Sequence, residues 1–424
     1  MKKSVKIRLI VFKILLEIYK KSSNFDNSYN KIVKKNINIS KNDRSLINNV
    51  CLNSIRFQFH ITTILNQYLK KKSKTNQHIL LLSAITQLIF LNFKDYAVVN
   101  DSVEVAKKIK VNPGLINAVL KNILTNKDRV AKTTINHNML PKWFNKNTKK
   151  LHNTDKNIFI KNFYKEPNLH LVFKNKLSLK NFKDKHFKST ATSAFIIDSK
   201  KINYLDDYKK GNWWVQDFSS MLPIFLSPEI SKKNILDLCA APGGKLFQAI
   251  SKGSATHAND INANKIEILK SNLKRLKFNS KISNKNALYL NIEDKFDVVL
   301  IDAPCTAVGT IRRNPEIFFK KNTPDIISLV NLQRNLLNKA CSFLKKNGII
   351  IYMACSFLYE ETEAQIEYFL EKHKEFSMLK FEKIKNEKNI NMFINDKGYI
   401  FHVPKNYGSF LIDGFFAVKF IKNV

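Results

Sequence analysis

From residue 234 onward the chain repeats one pattern, and that pattern limits the folds open to it. NILDLC (234–239) is a short apolar run, and APGGK (241–245) is a tight turn that opens a helix. SATHAND (254–260) is a second run, ending in Asp260 and followed by the amphipathic stretch ANKIEILKSNLKRLKF (263–278). FDVVLIDAPC (296–305) and GIIIYMACS (348–356) read as buried strands. Strands alternating with helices indicate βαβ units and a parallel sheet covered on both faces. DGFFAVKFI (413–421) suits a closing antiparallel strand.

The first 125 residues have a different texture. Ile116, Val119, Leu120, Ile123 and Leu124 fall at helical spacing behind Asn112-Pro113, a cap followed by proline at the first helical position. Asp101 and Glu104 are spaced like a capping box ahead of another helix. HILLLSAITQLIFLNF (78–93) is apolar nearly all round, which predicts a central buried helix. Polar connectors are expected around Ser22–Asn30 and Lys70–Asn76. The reading is an all-α domain over 1–125 and a Lys/Asn-rich linker over 126–150. A small α+β subdomain over 151–230 carries strands at His170–Phe173, Ala194–Ile197 and Trp213–Val215. The α/β domain spans 231–424.

Composition decides the class of partner. The 424 residues carry a formal net charge of +38, which excludes an acidic or fully disordered chain and points to a polyanion, most simply nucleic acid. Coding drift toward Lys, Asn, Ile and Phe produces the same excess, so charge alone supports only backbone binding without sequence preference. Glycine and proline number 10 each, which excludes collagen-like and linker-rich chains. The five cysteines, Cys51, Cys239, Cys305, Cys341 and Cys355, form no C-x-x-C pair, so neither a disulfide framework nor a zinc site is expected. Lys6, Arg8, Lys13 and Glu17 interrupt the N-terminal apolar stretch. The expectation is therefore an amphipathic helix rather than a signal or membrane span, in a cytoplasmic protein.

Ligand-binding residues of an open α/β sheet gather at the carboxyl ends of its strands. Four candidates stand there. The first, Asp237-Leu238-Cys239-Ala240-Ala241-Pro242-Gly243-Gly244-Lys245, lets backbone approach a ligand at a helix N-terminus, without the spacing of dinucleotide or nucleotide-triphosphate loops. Taken alone, it is also an ordinary strand-to-helix turn. The second, Asp260, can accept both hydroxyls of a ribose or simply cap the helix after it. Together they describe a pocket for an adenosine-type cofactor without a polyphosphate clamp, and S-adenosyl-L-methionine fits. The third and fourth, Asp302-Ala303-Pro304-Cys305 and Ala354-Cys355-Ser356, put two thiols at neighbouring strand ends, in polar company unlike that of core cysteines. Two thiols and an acid suit methylation at a pyrimidine C5. That carbon becomes nucleophilic only after a thiolate adds to C6, and the base must first be unstacked.

CAAPGGK, DAPC and the cysteine in ACS resemble the RNA 5-methylcytosine methyltransferases of the Sun family, in which TCS is usual at the last position. DSVEVAKKIKVNPGLINAVLKNIL (101–124) resembles the NusB-type RNA-binding fold. WWVQDFSS (213–220) and DAPCTAVGTIRRNPE (302–316) resemble those members that act on small-subunit (16S) ribosomal RNA. The resemblance implies an all-α NusB-like domain, then a small α+β subdomain, then a Rossmann-like methyltransferase domain. It implies that Cys239, Ala240, Ala241, Pro242, Gly243, Gly244 and Lys245 line the methionine end of S-adenosyl-L-methionine and that Asp260 holds the ribose. Asp302 would lie between cofactor and base, Cys355 would be the C6 nucleophile, and Cys305 would assist proton removal and release. Lys245 would reach the base or its phosphate. Arg312 and Arg313 would touch RNA backbone, or pair with Glu316 or solvent. No metal or membrane partner is implied, and nothing demands more than a monomer.

Two positions depart from the family pattern. Asn286 stands where an acid near the adenine is usual, and Ala354 replaces the threonine beside the nucleophile. Two competing readings remain open at this level. One is a DNA cytosine-C5 methyltransferase with the roles of Cys305 and Cys355 exchanged. The other is a non-catalytic RNA-binding assembly factor.

Overall fold

Apolar residues at i, i+3 and i+4 build the first unit from helices. The computed structural model describes residues 1–34, 39–71, 73–197, 201–385 and 388–423. Lys72, in the second expected connector, and Val424, at the end of the α/β domain, lie outside the described residues. The helices are α1 (Lys3–Lys21), α2 (Phe25–Lys34), α3 (Lys41–Arg56), α4 (Gln58–Tyr68), α5 (Thr75–Ile85), α6 (Asp95–Lys108) and α7 (Pro113–Thr125). The run expected as a central buried helix is α5, which continues as a wider π turn over Thr86–Phe90; every residue from Ile79 to Ile89 is buried. Asn112 caps α7 as expected, its Oδ1 accepting the Leu115 N–H at 3.1 Å.

Three local expectations fail. Asp101 and Glu104 sit inside α6 rather than before a helix; Asp101 is buried and pairs with Arg8 at 2.6 Å, so a tertiary charge partner explains it. The first connector is shorter than expected, because α2 begins at Phe25. Residues 126–150, read as a linker, carry α8 (Lys127–Ala131) and α9 (Lys142–Asn147), with Phe144 buried.

The helical unit comprises Met1–Lys146, Phe163–Lys165 and, unexpectedly, Ile311–Pro324. That last segment leaves the sheet domain and joins the helical core. Phe319 packs on Tyr19 with ring centroids 5.6 Å apart, Glu316 accepts the Phe25 N–H at 3.2 Å, and Arg56 donates to the Arg312 carbonyl at 3.2 Å. Arg312 is fully buried there, so the expectation that its side chain contacts RNA fails.

The second unit holds everything else that is described. After α10 (Asn153–Asn162) come β1 (His170–Phe173), α11 (Lys176–Lys180), β2 (His186–Thr190), β3 (Ser193–Ile196) and β4 (Trp213–Val215). The four strands form an antiparallel sheet in the order β2-β3-β1-β4, the small α+β subdomain.

Helix α12 (Phe218–Phe225) leads into the main sheet. Its strands are β5 (Asn234–Asp237), β6 (Ala255–Asn259), β7 (Lys281–Ser283), β8 (Phe296–Asp302), β9 (Leu344–Ala354), β10 (Phe376–Leu379), β11 (Ile400–His402) and β14 (Phe415–Lys422). A separate hairpin pairs β12 (Lys405–Tyr407) with β13 (Phe410–Ile412). The main order is β10-β14-β9-β8-β5-β6-β7, with β11 also on β14. Strands β5 to β9 are parallel and β14 runs antiparallel to β9, as the closing run predicted.

Alternation along the strands places Ile235, Val298, Leu300 and Ile351 in one core. Leu236, Val299, Ile301 and Ile350 enter the other, so the sheet is buried on both faces. Helices α13 (Gly244–Ser251) and α14 (Ala263–Leu276) contribute to the first core, and α15 (Ile326–Cys341) and α16 (Glu363–Lys372) to the second. The chain runs outward from β5 through β6 to β7, then crosses back to β8 on the other side of β5. A crevice opens beyond the carboxyl ends at such a reversal. No described helix is long and apolar enough to cross a membrane.

Candidate active site

The reversal point is where the candidate residues converge. A cavity of about 520 Å³, within the usual range for small-ligand sites, lies at the ends of β5, β6 and β8. Its walls include Cys239 and Ala241 from the first loop, Asp260 after β6, Asn286 after β7, Asp302 and Cys305 at the end of β8, and Cys355 after β9.

Each loop is fixed by its own chemistry. At Gly243 φ is +115°, and an added Cβ would lie 2.2 Å from the Phe247 ring, so only glycine serves at the entry to α13. The loop is tied down by Ala240 N–H to the Asn259 carbonyl (2.9 Å) and by Ala241 N–H to Asp260 Oδ2 (3.1 Å). Asp260 Oδ1 also accepts the Asn262 N–H at 2.8 Å. Asn262, whose Oδ1 accepts the Lys265 N–H at 3.1 Å, caps α14, so Asp260 is a loop anchor rather than the helix cap, and each of its carboxylate oxygens keeps acceptor capacity for a further donor.

Lys245 is nearly buried, and its ammonium has two oxygen partners, Asp302 Oδ2 at 2.6 Å and Ser220 Oγ at 2.9 Å. A buried cation needs such partners, since desolvation otherwise costs several kcal/mol. Ser220 belongs to the WWVQDFSS run, which gives that motif a structural task. Asp237, fully buried beneath the loop, has its carboxyl pushed up to about 7 by burial, with Asp302 adding to the effect.

The two sulfurs meet. Cys305 Sγ and Cys355 Sγ are 3.4 Å apart, a thiol–thiol hydrogen bond rather than a disulfide, and both residues line the cavity. The Cys305 thiol is held well above its ordinary value, first by its hydrogen bond to Cys355 and then by burial. Cys239 is also pushed up by burial, as suits a wall residue rather than a nucleophile.

Residues 223–421 match the family model "16S rRNA methyltransferase RsmB/F", and residues 5–125 match the NusB family. Residues 223–421 form a domain of the 16S rRNA methyltransferase RsmB/F type, behind a NusB-family domain. Two curated relatives are named ribosomal RNA small subunit methyltransferase B. The one from Photorhabdus laumondii is 29% identical over 396 residues, covering 88% of this chain and 92% of the relative. The one from Proteus mirabilis is 27% identical over 397 residues, covering 87% and 92%. The crystal structure of PH0851 aligns over 100% of this chain and 99% of its own, with a TM-score of 0.70 and 20% identity. NSun6 from Pyrococcus horikoshii with SFG covers 66% of this chain and 98% of its own, with a TM-score of 0.55 and 18% identity. At such identities these two likenesses concern the fold.

Within this RsmB/F domain not every expected residue reaches the cavity wall. Ala240, Pro242, Gly243 and Gly244 build the loop and the helix start without lining the cavity, and Lys245 acts through Asp302. Several contributors escaped the sequence reading. Ile261, 68% exposed, and Leu332 and Leu336 from α15 supply apolar wall. Buried Asn259 donates to the Leu238 and Lys285 carbonyls at 3.2 and 3.0 Å, fastening the ends of β5 and β7 to β6. Gly309 donates to the Cys355 carbonyl at 3.0 Å and accepts the Gly414 N–H at 2.9 Å. With only 10 glycines in the chain, Gly309 and Gly414 were themselves a signal of close backbone approach.

Proposed function

We propose that this protein methylates C5 of a cytosine in 16S ribosomal RNA, with S-adenosyl-L-methionine as methyl donor and Cys355 as covalent nucleophile. The observation that carries the reading is the pair of sulfurs 3.4 Å apart in one cavity beside the Lys245–Asp302 pair.

The residues fit the donor. Asp260 and Asn286 offer polar atoms at two strand ends, Leu238, Ile261 and Ala287 offer apolar wall, and the lining has one basic residue, Lys265. That set suits an adenosyl group and its ribose better than a polyphosphate. The SFG of the NSun6 structure is an analogue of this donor. When bound, S-adenosyl-L-methionine supplies an electrophilic methyl group.

The chain's own groups do the rest. Either sulfur can donate in the resting pair, and a Cys305 thiol that keeps its proton can donate to the Cys355 sulfur, which leaves Cys355 as the nucleophile. The Cys355 thiol gives its proton to water, its sulfur forms a bond to C6 of the flipped-out base, and the C5–C6 π electrons move to C5. Asp302, fixed by Lys245, meets the N3 and amino edge, where charge develops. After methylation C5 gives its proton to water, the C–H electron pair restores the C5–C6 double bond, and the Cys355–C6 bond breaks with its electrons returning to the Cys355 sulfur. Cys305, in contact with the departing sulfur, assists these last steps.

Incubation with donor and unmodified small-subunit RNA tests the reading. Cys305→Ala is expected to accumulate a denaturation-resistant protein–RNA adduct, and Cys355→Ala to form none. The reverse pattern would exchange the two roles, and tight RNA binding by the wild-type protein without methyl transfer would favour an assembly factor.

A further inference from the structure

We propose that Glu361 is a positioning residue, a latch that joins the Cys305 turn to the Cys355 turn and brings their sulfurs together. The inference rests on the reading of the two cysteines given above. Glu361 follows β9 by seven residues and is fully buried. A carboxylate is rarely enclosed unless its acceptor capacity is used. Here Oε1 accepts the Thr306 N–H at 2.8 Å, and Oε2 accepts the Thr306 hydroxyl at 2.5 Å. Gln333 Nε2, on α15, also reaches Oε1 at 3.3 Å while donating to the Pro304 carbonyl at 2.9 Å. Ser356 Oγ joins the group through its 3.4 Å contact with the Thr306 hydroxyl.

Thr306 follows Cys305, and Glu361 itself stands six residues after Cys355, so its side chain ties the residue next to the first sulfur to the turn that carries the second. Gly309 completes the join by donating to the Cys355 carbonyl. Apart from these, the two turns are joined by the end of the β8–β9 ladder, where the Ala303 N–H meets the Met353 carbonyl at 2.9 Å, by the 3.4 Å contact between Thr306 Oγ1 and Ser356 Oγ, and by the sulfur pair itself.

Glu361 also brings charge: burial pushes its carboxyl up, while the Thr306 hydroxyl and N–H and the Gln333 amide favour the ionised form. The titratable groups facing Cys305 are Cys355, Glu361 and the phenol of Tyr352, whose hydroxyl donates to the Glu361 carbonyl at 3.0 Å. A negative group beside Cys305 disfavours its thiolate, which preserves Cys305 as the donor of the pair.

Glu361→Gln is the sharper test, because it keeps the volume but sets an amide N–H2 against the donors. Thr306→Val removes one donor and keeps the shape, and Thr306→Ser keeps the hydroxyl. The first readout needs no activity. Phenylarsine oxide condenses with two adjacent thiols, losing water, and its capture by Cys305 and Cys355 together reports their spacing. Wild type and Thr306→Ser are expected to capture it as a dithiol, Glu361→Gln at least tenfold more weakly, and Thr306→Val in between. Alkylation of Cys305 in Glu361→Gln is expected to move to lower pH. Methyl transfer is expected to lose kcat at an unchanged KM for RNA.

Folded Glu361→Gln with wild-type arsenical capture and an unmoved alkylation profile would overturn the latch. If that variant does not fold, Thr306→Val with undiminished capture overturns it equally. Capture that falls as expected in a protein whose wild type transfers no methyl supports the latch and defeats the methyltransferase reading.

Discussion

Gly309 is the position where one added methyl group should separate folding from chemistry. A Cβ there would lie 2.1 Å from the Gly414 oxygen, 2.7 Å from the Gly414 carbonyl carbon and 2.9 Å from the Cys355 oxygen. All three are backbone atoms, so no rotamer change relieves the clash. Carbon–oxygen contacts settle at roughly 3.3 Å, so the Gly309 and Gly414 segments must part by about 1 Å. Overpacking of this kind costs about 1–3 kcal/mol, and at about 2–4 °C per kcal/mol the sheet domain should melt roughly 2–12 °C lower. The catalytic cost is larger in proportion. Gly309 holds the Cys355 carbonyl, and about 1 Å of misplacement at a reacting group costs on the order of 100-fold.

Thermal melts and methyl transfer to small-subunit RNA measure the two effects on Gly309→Ala. Gly408→Ala is the control. Its φ is +58°, so it pays backbone strain of about 1–2 kcal/mol, yet no atom lies within 4 Å of the added Cβ, and it should lose stability while keeping kcat. Turnover of Gly309→Ala within twofold of wild type would refute the argument that this glycine sets the thiol geometry.

Two further outcomes are expected. Asn286 spends its side-chain oxygen on the Leu288 N–H at 3.0 Å, which leaves donors where an adenine amino group needs an acceptor. Asn286→Asp should therefore tighten the donor about fivefold by calorimetry, and unchanged affinity would remove this account of the departure. Asp237 is protonated up to about pH 7 in the folded protein but only to about pH 4 when unfolded, so the folded state binds the extra proton between those values. Stability from this group therefore falls, by a few kcal/mol, as pH rises from about 4 to about 7. Asp237→Asn removes the dependence, so its melting temperature relative to wild type should rise from pH 5 to pH 8. A constant difference would refute the assignment. The comparison must be with wild type, because burial of His60, pushed down to about 4, tilts stability the opposite way.

What could be read from the sequence was local. Short continuous apolar runs marked β5, β8 and β9, and the chemistry-bearing residues stood at their ends, where chain reversal makes a crevice. Cys305 and Cys355 could be placed at neighbouring strand ends without knowing their 3.4 Å spacing. What was hidden depends on partners distant in the chain. Asp101 looked like a cap because its real partner, Arg8, is 93 residues away. Nothing in its own segment singles out Glu361, whose partner Thr306 lies 55 residues earlier. No periodicity announces such pairs, since each is set by which strands become neighbours rather than by its own segment.

The Ile311–Pro324 excursion has a consequence for synthesis. Phe319 is part of the helical core, yet it is translated after nearly all of the parallel sheet's strands. The first helices leave the ribosome complete through Lys146, and the last piece of their core follows 324 − 146 = 178 residues later. At 5–20 residues per second that is a wait of about 10–35 s. During it the nascent helical bundle lacks its Phe319 plug, and a fragment cut after residue 146 would lack it permanently.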